Sequence, residues 1–420
     1  MFARFSGGFI EQLGHGRNLV VATPKTPPVL DRQLLHLPSE TIYCTRCVNS
    51  SQRPRLVFDQ EGICDACRFS EHKHNGVNWE VRQEELAALL EKYRSRNGSF
   101  DVVVPASGGK DSCYVAHQLK YVYGMHPLCV VWAPAMYTEI GRKNLENFNQ
   151  FFDTVLYTPN RTVHGKLTRL GFELFGDPFQ PWHHGQQAYP VHIAIRYGIP
   201  LVFYGENQDA EYGGGGVKGQ RAVETLGERM QNEAFRDPRG VDALVAEGHS
   251  MGLFSDLEIQ QPALFDLYRL PDPKAVADAG VENHFFSYYK RWIPQENFYY
   301  AQEHCGFELN PERSEGTYSK HSSLDDKIDG LHYYMQYIKF GFGRCTTEAC
   351  HEIRDGFLSR DEAVALVRRF DGEFPKKYHA ACLDYMGISE TYFLQVVDRF
   401  RPKHIWELHT GGWRLRHSLT

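Results

Sequence analysis

Val102-Val103-Val104-Pro105-Ala106-Ser107-Gly108-Gly109-Lys110-Asp111-Ser112 decides the fold. A short apolar, β-branched run from Phe100 to Pro105 reads as a strand, and a helix is predicted from Asp111 to Tyr123. Between them lies Ser-Gly-Gly-Lys-Asp-Ser. Two glycines let the backbone approach a ligand closely, and the free N–H groups and dipole of the helix start favour an anion. Lys110 adds a point charge, while Ser107 and Ser112 add hydroxyl donors. The segment reads as a phosphate cradle. It is not a Walker A loop, which needs four residues between its glycine and Gly-Lys and then Ser or Thr; here Asp111 follows Lys110.

Outward from this loop the chain alternates. Strands are predicted at Pro127–Trp132, Thr154–Tyr157 and Ile199–Tyr204. Helices are predicted from Asn78 to Arg94, near Thr138–Phe152 and Thr162–Phe175, and around Gln186–Tyr197. Strands alternating with helices imply an α/β fold, a doubly wound parallel sheet covered on both faces. Ligands bind such sheets at the carboxyl ends of strands. Gly205-Glu206-Asn207-Gln208-Asp209 occupies that position on the fourth strand, where a carboxylate and an amide can hold Mg²⁺ or orient a substrate. Gly213–Gly216 reads as a mobile loop beside the sheet, and Asn18–Ala22 as a short strand. Residues 217–300 read as helical with proline breaks. Helices are also predicted at Leu324–Phe340, Arg360–Phe370 and Ser389–Phe400. Four regions follow: an N-terminal arm (1–40), a cysteine-rich module (41–77), the loop-bearing α/β domain (78–215) and a mostly helical C-terminal region (216–420).

Composition narrows the classes. The chain has 420 residues, 42% of them apolar and 23% charged, which excludes a disordered or fibrous protein. No apolar run of about 18 residues exists and no export signal is visible, so a cytoplasmic protein without a membrane partner is expected. A formal net charge of −6 does not favour a nucleic-acid partner. Of ten cysteines, four form Cys44-x2-Cys47-x16-Cys64-x2-Cys67, a spacing that fits a structural Zn²⁺ site with four thiolates and no open position. Tyr43, Phe58 and Phe69 are candidates to pack around it. Cys345, Cys350 and Cys382, with His351, read as buried thiols rather than a second metal site, and Cys113 as a residue packed against the sheet.

The loop resembles that of the PP-loop ATP pyrophosphatases (the adenine nucleotide alpha-hydrolase-like fold), which cleave ATP between its α- and β-phosphates. With the zinc ribbon added, the chain resembles one branch of them, the N-acetyl sugar amidotransferases of bacterial surface-polysaccharide and nonulosonic-acid synthesis. The matching stretches run almost end to end from Tyr43. They include Tyr43–Val48, Phe58–Cys64, Pro181-Trp182-His183, Tyr204–Asn207 and Glu211–Gly214, then Arg313–Lys320, Ser323–Gly330, Ile338–Gly341 and Asp371–Pro375. Residues 1–40 fall outside the resemblance, and His321 and Cys345-Thr346-Thr347 depart from its pattern.

The resemblance implies an ATP-dependent reaction. The oxygen of a sugar N-acetyl group is adenylated with release of pyrophosphate, and ammonia then displaces AMP to leave an acetamidino group. ATP and Mg²⁺ would meet Ser107, Gly108, Gly109, Lys110, Asp111, Ser112, Gly205, Glu206 and Asn207. Lys110, Asp111 and Lys327 would be catalytic, and Asp111, Glu206, Asp325 and Asp326 are the Mg²⁺ candidates. His183, His184 and Tyr212 would contact the N-acetylated sugar or nucleotide sugar. Phe2 stands where some amidotransferases carry a nucleophilic cysteine, and none of the ten cysteines lies in a Gly-x-Cys-x-Gly elbow. Ammonia is therefore expected free, or from a separate glutaminase and a barrel-type subunit. Two competing readings are a PP-loop tRNA-modifying enzyme, which wants a basic face and a reactive cysteine near the loop, and a non-catalytic zinc-ribbon scaffold.

Overall fold

The computed structural model describes residues 27–214, 222–225, 228 and 237–420. The strand expected at Asn18–Ala22 lies outside them. The centre is a six-stranded sheet built from β1 (Val102–Pro105), β2 (Pro127–Trp132), β3 (Asp153–Tyr157), β4 (Leu201–Tyr204), β5 (Val223–Glu224) and β6 (Glu282–Phe285). Their order is β3-β2-β1-β4-β6-β5, parallel throughout except for the short β5.

Both faces of the central strands β1, β2 and β4 are buried, as their near-continuous apolar sequences require, while the edge strand β3 is partly exposed. Val102, Val104, Cys129, Val131, Leu201 and Phe203 face one core, and Cys113 packs there too. Val103, Leu128, Val130, Trp132 and Val202 face the other. The chain steps from β1 to β2 to β3 on one side, then returns to place β4 on the other side of β1. The strand order therefore reverses between β1 and β4, and the crevice beyond their carboxyl ends is where such a sheet takes ligands.

Two expectations are corrected. The region 217–300 is not only helical: it supplies β5 and β6. The signal was hidden because Asn283 and His284 of β6 are polar yet buried, with His284 bonded to Tyr289 Oη at 2.9 Å and to Glu282 Oε2 at 3.1 Å. The helix expected from Gln186 begins at Gln180 and runs to Tyr197 with Pro190 inside it, so His183 and His184 sit in its first turns. Gly185 lets this helix close on the sheet, since a Cβ there would lie 2.1 Å from the Trp132 indole.

Around the sheet lie α1 (Asp65–Asn75), α2 (Trp79–Tyr93), α3 (Lys110–His117), α4 (Glu139–Phe148), α5 (Arg161–Phe175), α6 (Gln180–Tyr197) and α7 (Gln208–Tyr212). The C-terminal region adds helices at Pro294–Cys305, Asp329–Phe340, Arg344–Arg354 and Arg360–Phe370, and a hairpin of β7 (Trp406–His409) and β8 (Gly412–Leu415). The cysteine-rich module does not stand apart. Its four cysteines share one core with Cys345, Cys350, Phe370 and Leu419, and Tyr43 and Phe58 pack on that core while Phe69 is buried outside it. Cys382 is buried elsewhere, beside Met386 and Phe393. No helix among the described residues is long and apolar enough to cross a membrane.

Candidate active site at the strand reversal

The loop after β1 is held open by its own side chains. Gly109 donates its N–H to Ser107 Oγ at 3.2 Å, Ser112 Oγ donates to the Gly109 carbonyl at 3.0 Å, and the Ser107 N–H reaches Ser112 Oγ at 3.4 Å. Gly108 has φ +82°, and a Cβ there would lie 2.8 Å from Leu145 Cα, so both conformation and space demand glycine. Gly109 caps α3 with no side chain over the first-turn N–H groups, which leaves them available to an anion. Lys110 forms an ion pair with Asp111, whose Oδ1 also accepts Asn297 Nδ2 at 3.1 Å.

The exit of β4 meets this loop. Glu206 lines the same cavity as Lys110 and Asp111. Its Oε1 accepts Tyr212 Oη at 3.0 Å and its Oε2 accepts Trp292 Nε1 at 3.1 Å. Burial, reinforced by the nearby charge of Asp111, pushes the Glu206 carboxyl up to about 7. Gly205 is required by the same indole, because a Cβ would come within 2.8 Å of Trp292. Asn207 acts locally, its Oδ1 capping α7 by accepting the Ala210 N–H at 3.3 Å.

The far wall comes from the C-terminal region. Arg344, Glu348, His351 and His321 line the cavity opposite Lys110. Arg344 Nε bonds Glu348 Oε1 at 2.7 Å and its guanidinium also reaches Tyr333 Oη. His321 stacks on Phe298 with ring centroids 4.8 Å apart, and burial with the Lys110 charge lowers it to about 4. Sequence reasoning missed Arg344, Glu348, Trp292 and Asn297. Their one legible trace is Arg344 and Glu348 at i,i+4, the spacing of a helical ion pair.

The remaining candidates separate. Asp325 stands beside the loop, 3.9 Å from where a Gly109 Cβ would be, and burial raises its carboxyl to about 6 against the opposing hydrogen bond from Ser107. Asp326 instead spends both oxygens on backbone: the N–H groups of Ala135, Met136 (3.1 Å) and Ile328 (3.1 Å). This fixes the segment after β2. Lys327 lines a different cavity, with Arg313, Ser314 and Lys377, and is not among the residues around Lys110. His183 lines a third cavity, whereas His184 is buried within 3.3 Å of Gln180 Nε2. Tyr212 walls both the His183 cavity and the Lys110 cavity.

Asp111, Glu206, Asp325 and Asp326 do not form a ready group of ligands within 4.8 Å of one another. Mg²⁺ does not need one, because it is commonly held by one or two carboxylates plus substrate phosphate oxygens.

The four ribbon cysteines do form such a group, all buried and all unbridged. Cys44 and Cys67 sulfurs are 4.0 Å apart and Cys47 and Cys64 sulfurs 3.7 Å, close to the edge of about 3.8 Å that a tetrahedron of 2.3 Å zinc–sulfur bonds requires. Backbone N–H groups of Arg46 (3.4 Å) and Cys64 (3.3 Å) point at Cys44 Sγ, and that of Asn49 (3.4 Å) at Cys47 Sγ. Arg53 and Arg354 bring positive charge to the thiols from outside. Four thiolates around a divalent ion carry a net −2, and these groups offset it.

Residues 315–420, which supply Arg344, Glu348 and His351, match the family model described as LPS biosynthesis protein WbpG-like, C-terminal domain. The chain is also 25% identical over 119 residues to the uncharacterized protein MJ1599 of Methanocaldococcus jannaschii, an overlap covering 28% of this chain and 42% of that protein. The chain thus spans less than half the length of this relative. Residues 315–420 are thus similar to a lipopolysaccharide-biosynthesis domain.

Proposed function

We propose that the protein is a cytoplasmic, ATP-dependent, AMP-forming amidotransferase of surface-glycan biosynthesis, acting on a sugar N-acetyl group. The observation that carries this reading is the Ser107–Ser112 loop at the strand reversal, with Lys110 and Asp111 sharing a cavity with Glu206. The loop N–H groups and Lys110 bind the phosphates of ATP. The N-acetyl oxygen attacks the α-phosphorus, the bond to the β-phosphate oxygen breaks, and pyrophosphate leaves with the electron pair. Ammonia then adds to the imidate carbon, AMP departs with its oxygen, and a proton is released, leaving the acetamidino group. Lys110 offsets the charge that develops on the departing pyrophosphate. Asp111, Glu206 or Asp325 would hold a Mg²⁺ ion, which would supply further charge neutralisation when bound. The sugar lies toward Tyr212 and His183. The ribbon cysteines hold a structural Zn²⁺, and ammonia arrives free or from a separate glutaminase through a barrel-type subunit. The similarity of residues 315–420 to a lipopolysaccharide-biosynthesis domain supports the substrate class.

The test is mass spectrometry of N-acetylated sugars, free and UDP- or CMP-linked, incubated with the protein, Mg-ATP and ammonium. The expected product has NH in place of O and forms with stoichiometric AMP. Lys110→Ala should lower AMP formation by about 10²–10³-fold with an unchanged circular dichroism spectrum. AMP formed equally by wild type and Lys110→Ala would overturn the loop assignment, and AMP without an amidino product would overturn the sugar.

A further inference from the structure

Away from the loop, Asp177, His183 and His332 come together from three places in the chain. Asp177 follows the C-cap of α5, His183 sits in the first turn of α6, and His332 sits in the first turn of the helix Asp329–Phe340. One ligand atom from each lies within 4.8 Å of the other two. His332 Nδ1 is 2.8 Å from Asp177 Oδ1, close to the separation of about 3.0 Å between adjacent donors on an octahedral ion with bonds near 2.1 Å. The Asp177 carboxylate is itself oriented from behind, because Oδ1 accepts the Phe179 N–H at 3.0 Å. Asp177 is only 5% exposed, while both imidazoles reach a cavity of about 280 Å³ shared with Tyr212, Asp209 and Arg344. Phe179 lies beside both rings, 5.8 Å from His183 and 5.2 Å from His332 between centroids, and Trp182 is 5.7 Å from His183.

We propose that Asp177, His183 and His332 form a second metal site, for a divalent first-row transition ion such as Zn²⁺, Mn²⁺ or Fe²⁺. Two imidazoles and one carboxylate, with one side open, match the donor preference of these ions and leave positions for water or an oxygen of a bound ligand. A buried aspartate fixed by a backbone N–H, and an aromatic flank that limits how far the rings turn, are the outer-shell features such sites use. The ribbon site differs in kind. Four thiolates close it, so its metal is structural, whereas an ion here faces a cavity that also meets Tyr212. The proposal does not rest on the ATP reading, since occupancy is measured without nucleotide.

The experiment is metal analysis of the full chain purified without chelator, followed by Co²⁺ titration. Wild type should bind one ion with the thiolate-to-cobalt charge-transfer bands of the ribbon and a second with weak visible bands alone. His332→Ala and Asp177→Asn should weaken the second at least a hundredfold and leave the first intact, since losing a direct ligand costs more than the 10–100-fold of an outer-shell change. Retention of the ribbon ion reports the fold. If His332→Ala loses that ion too, His183→Gln replaces it. A wild type that takes up no second Zn²⁺, Mn²⁺ or Co²⁺ overturns the site, and the trio is then a hydrogen-bonded pair with a neighbouring imidazole. So does equal second-ion binding by wild type and the variants.

Discussion

Glu206 shows what burial does to a single carboxylate. Its two oxygens are held by the Tyr212 hydroxyl and the Trp292 indole, neither of them a cation, and burial with the Asp111 charge nearby raises it from 4.5 to about 7. The folded chain therefore keeps a proton that the unfolded chain gives up. Its contribution to stability is fully present below about pH 4.5 and is lost as pH rises toward about 7. Glu206→Gln keeps the shape and one acceptor while removing the charge. Without nucleotide or Mg²⁺, its melting temperature should equal that of wild type near pH 4 and exceed it by about 2 °C at pH 8. A difference that does not change with pH would show that the carboxylate is not uncomfortable when ionised. At this scale the sequence was informative for groups that act locally. Gly108 and Lys110 were legible because the turn between β1 and α3 sets them close together in the chain. Asp326 was not, because a carboxylate bound to the backbone of residues 135 and 136 reads the same in sequence as one facing a cavity.

Among the elements, α1 carries a fully buried cation. Lys73 is fully buried, with Nζ 3.1 Å from Glu211 Oε2, 2.8 Å from the Trp292 carbonyl and 3.6 Å from Asp355 Oδ1. It joins the ribbon helix to α7, to the segment ahead of the helix Pro294–Cys305 and to the end of Arg344–Arg354. Lys73→Met should cost about 3–5 kcal/mol in urea unfolding, because Glu211 and Asp355 lose the buried ammonium they share, and His74 beside Asp355 and Arg354 near Glu211 do not replace it. Adding Glu211→Leu should restore more than half of the loss. Strictly additive losses would mean that the two charges are not coupled. No sequence pattern announced this pairing, since its partners are 138 and 282 positions away. The strands β1 to β4 were legible for the opposite reason: each is an apolar run bounded by turn residues. Of the glycine run expected as a mobile loop, Gly215 and Gly216 lie outside the described residues. Gly213 and Gly214 lie against Leu56, Asp65 and Arg55, and the Gly214 N–H is bound by Asp65 Oδ2 at 2.8 Å.

On the scale of the whole molecule, the ribbon braces the site from outside. It touches the site's two outer walls. Asp65 holds Gly214, just past Tyr212, and the four cysteines share a core with Cys345 and Cys350 of the helix that carries Arg344, Glu348 and His351. The sheet has its own two cores and does not depend on these contacts. Removing the ribbon metal should therefore loosen the walls and spare the floor. Without a metal the buried sulfurs take up protons, and Arg53 and Arg354, which faced thiolate charge, lose that partner beside residues 344–354. Hydrogen exchange after treatment with a zinc chelator is expected to rise at least tenfold in residues 42–70, 208–214 and 344–354, while β1, β2 and β4 keep their protection. AMP formation should fall in the same samples and return when Zn²⁺ is restored. Uniform loss of protection, β1 included, would make the ribbon part of the global folding unit. Exchange confined to residues 42–70 would make it an independent module that the site does not feel.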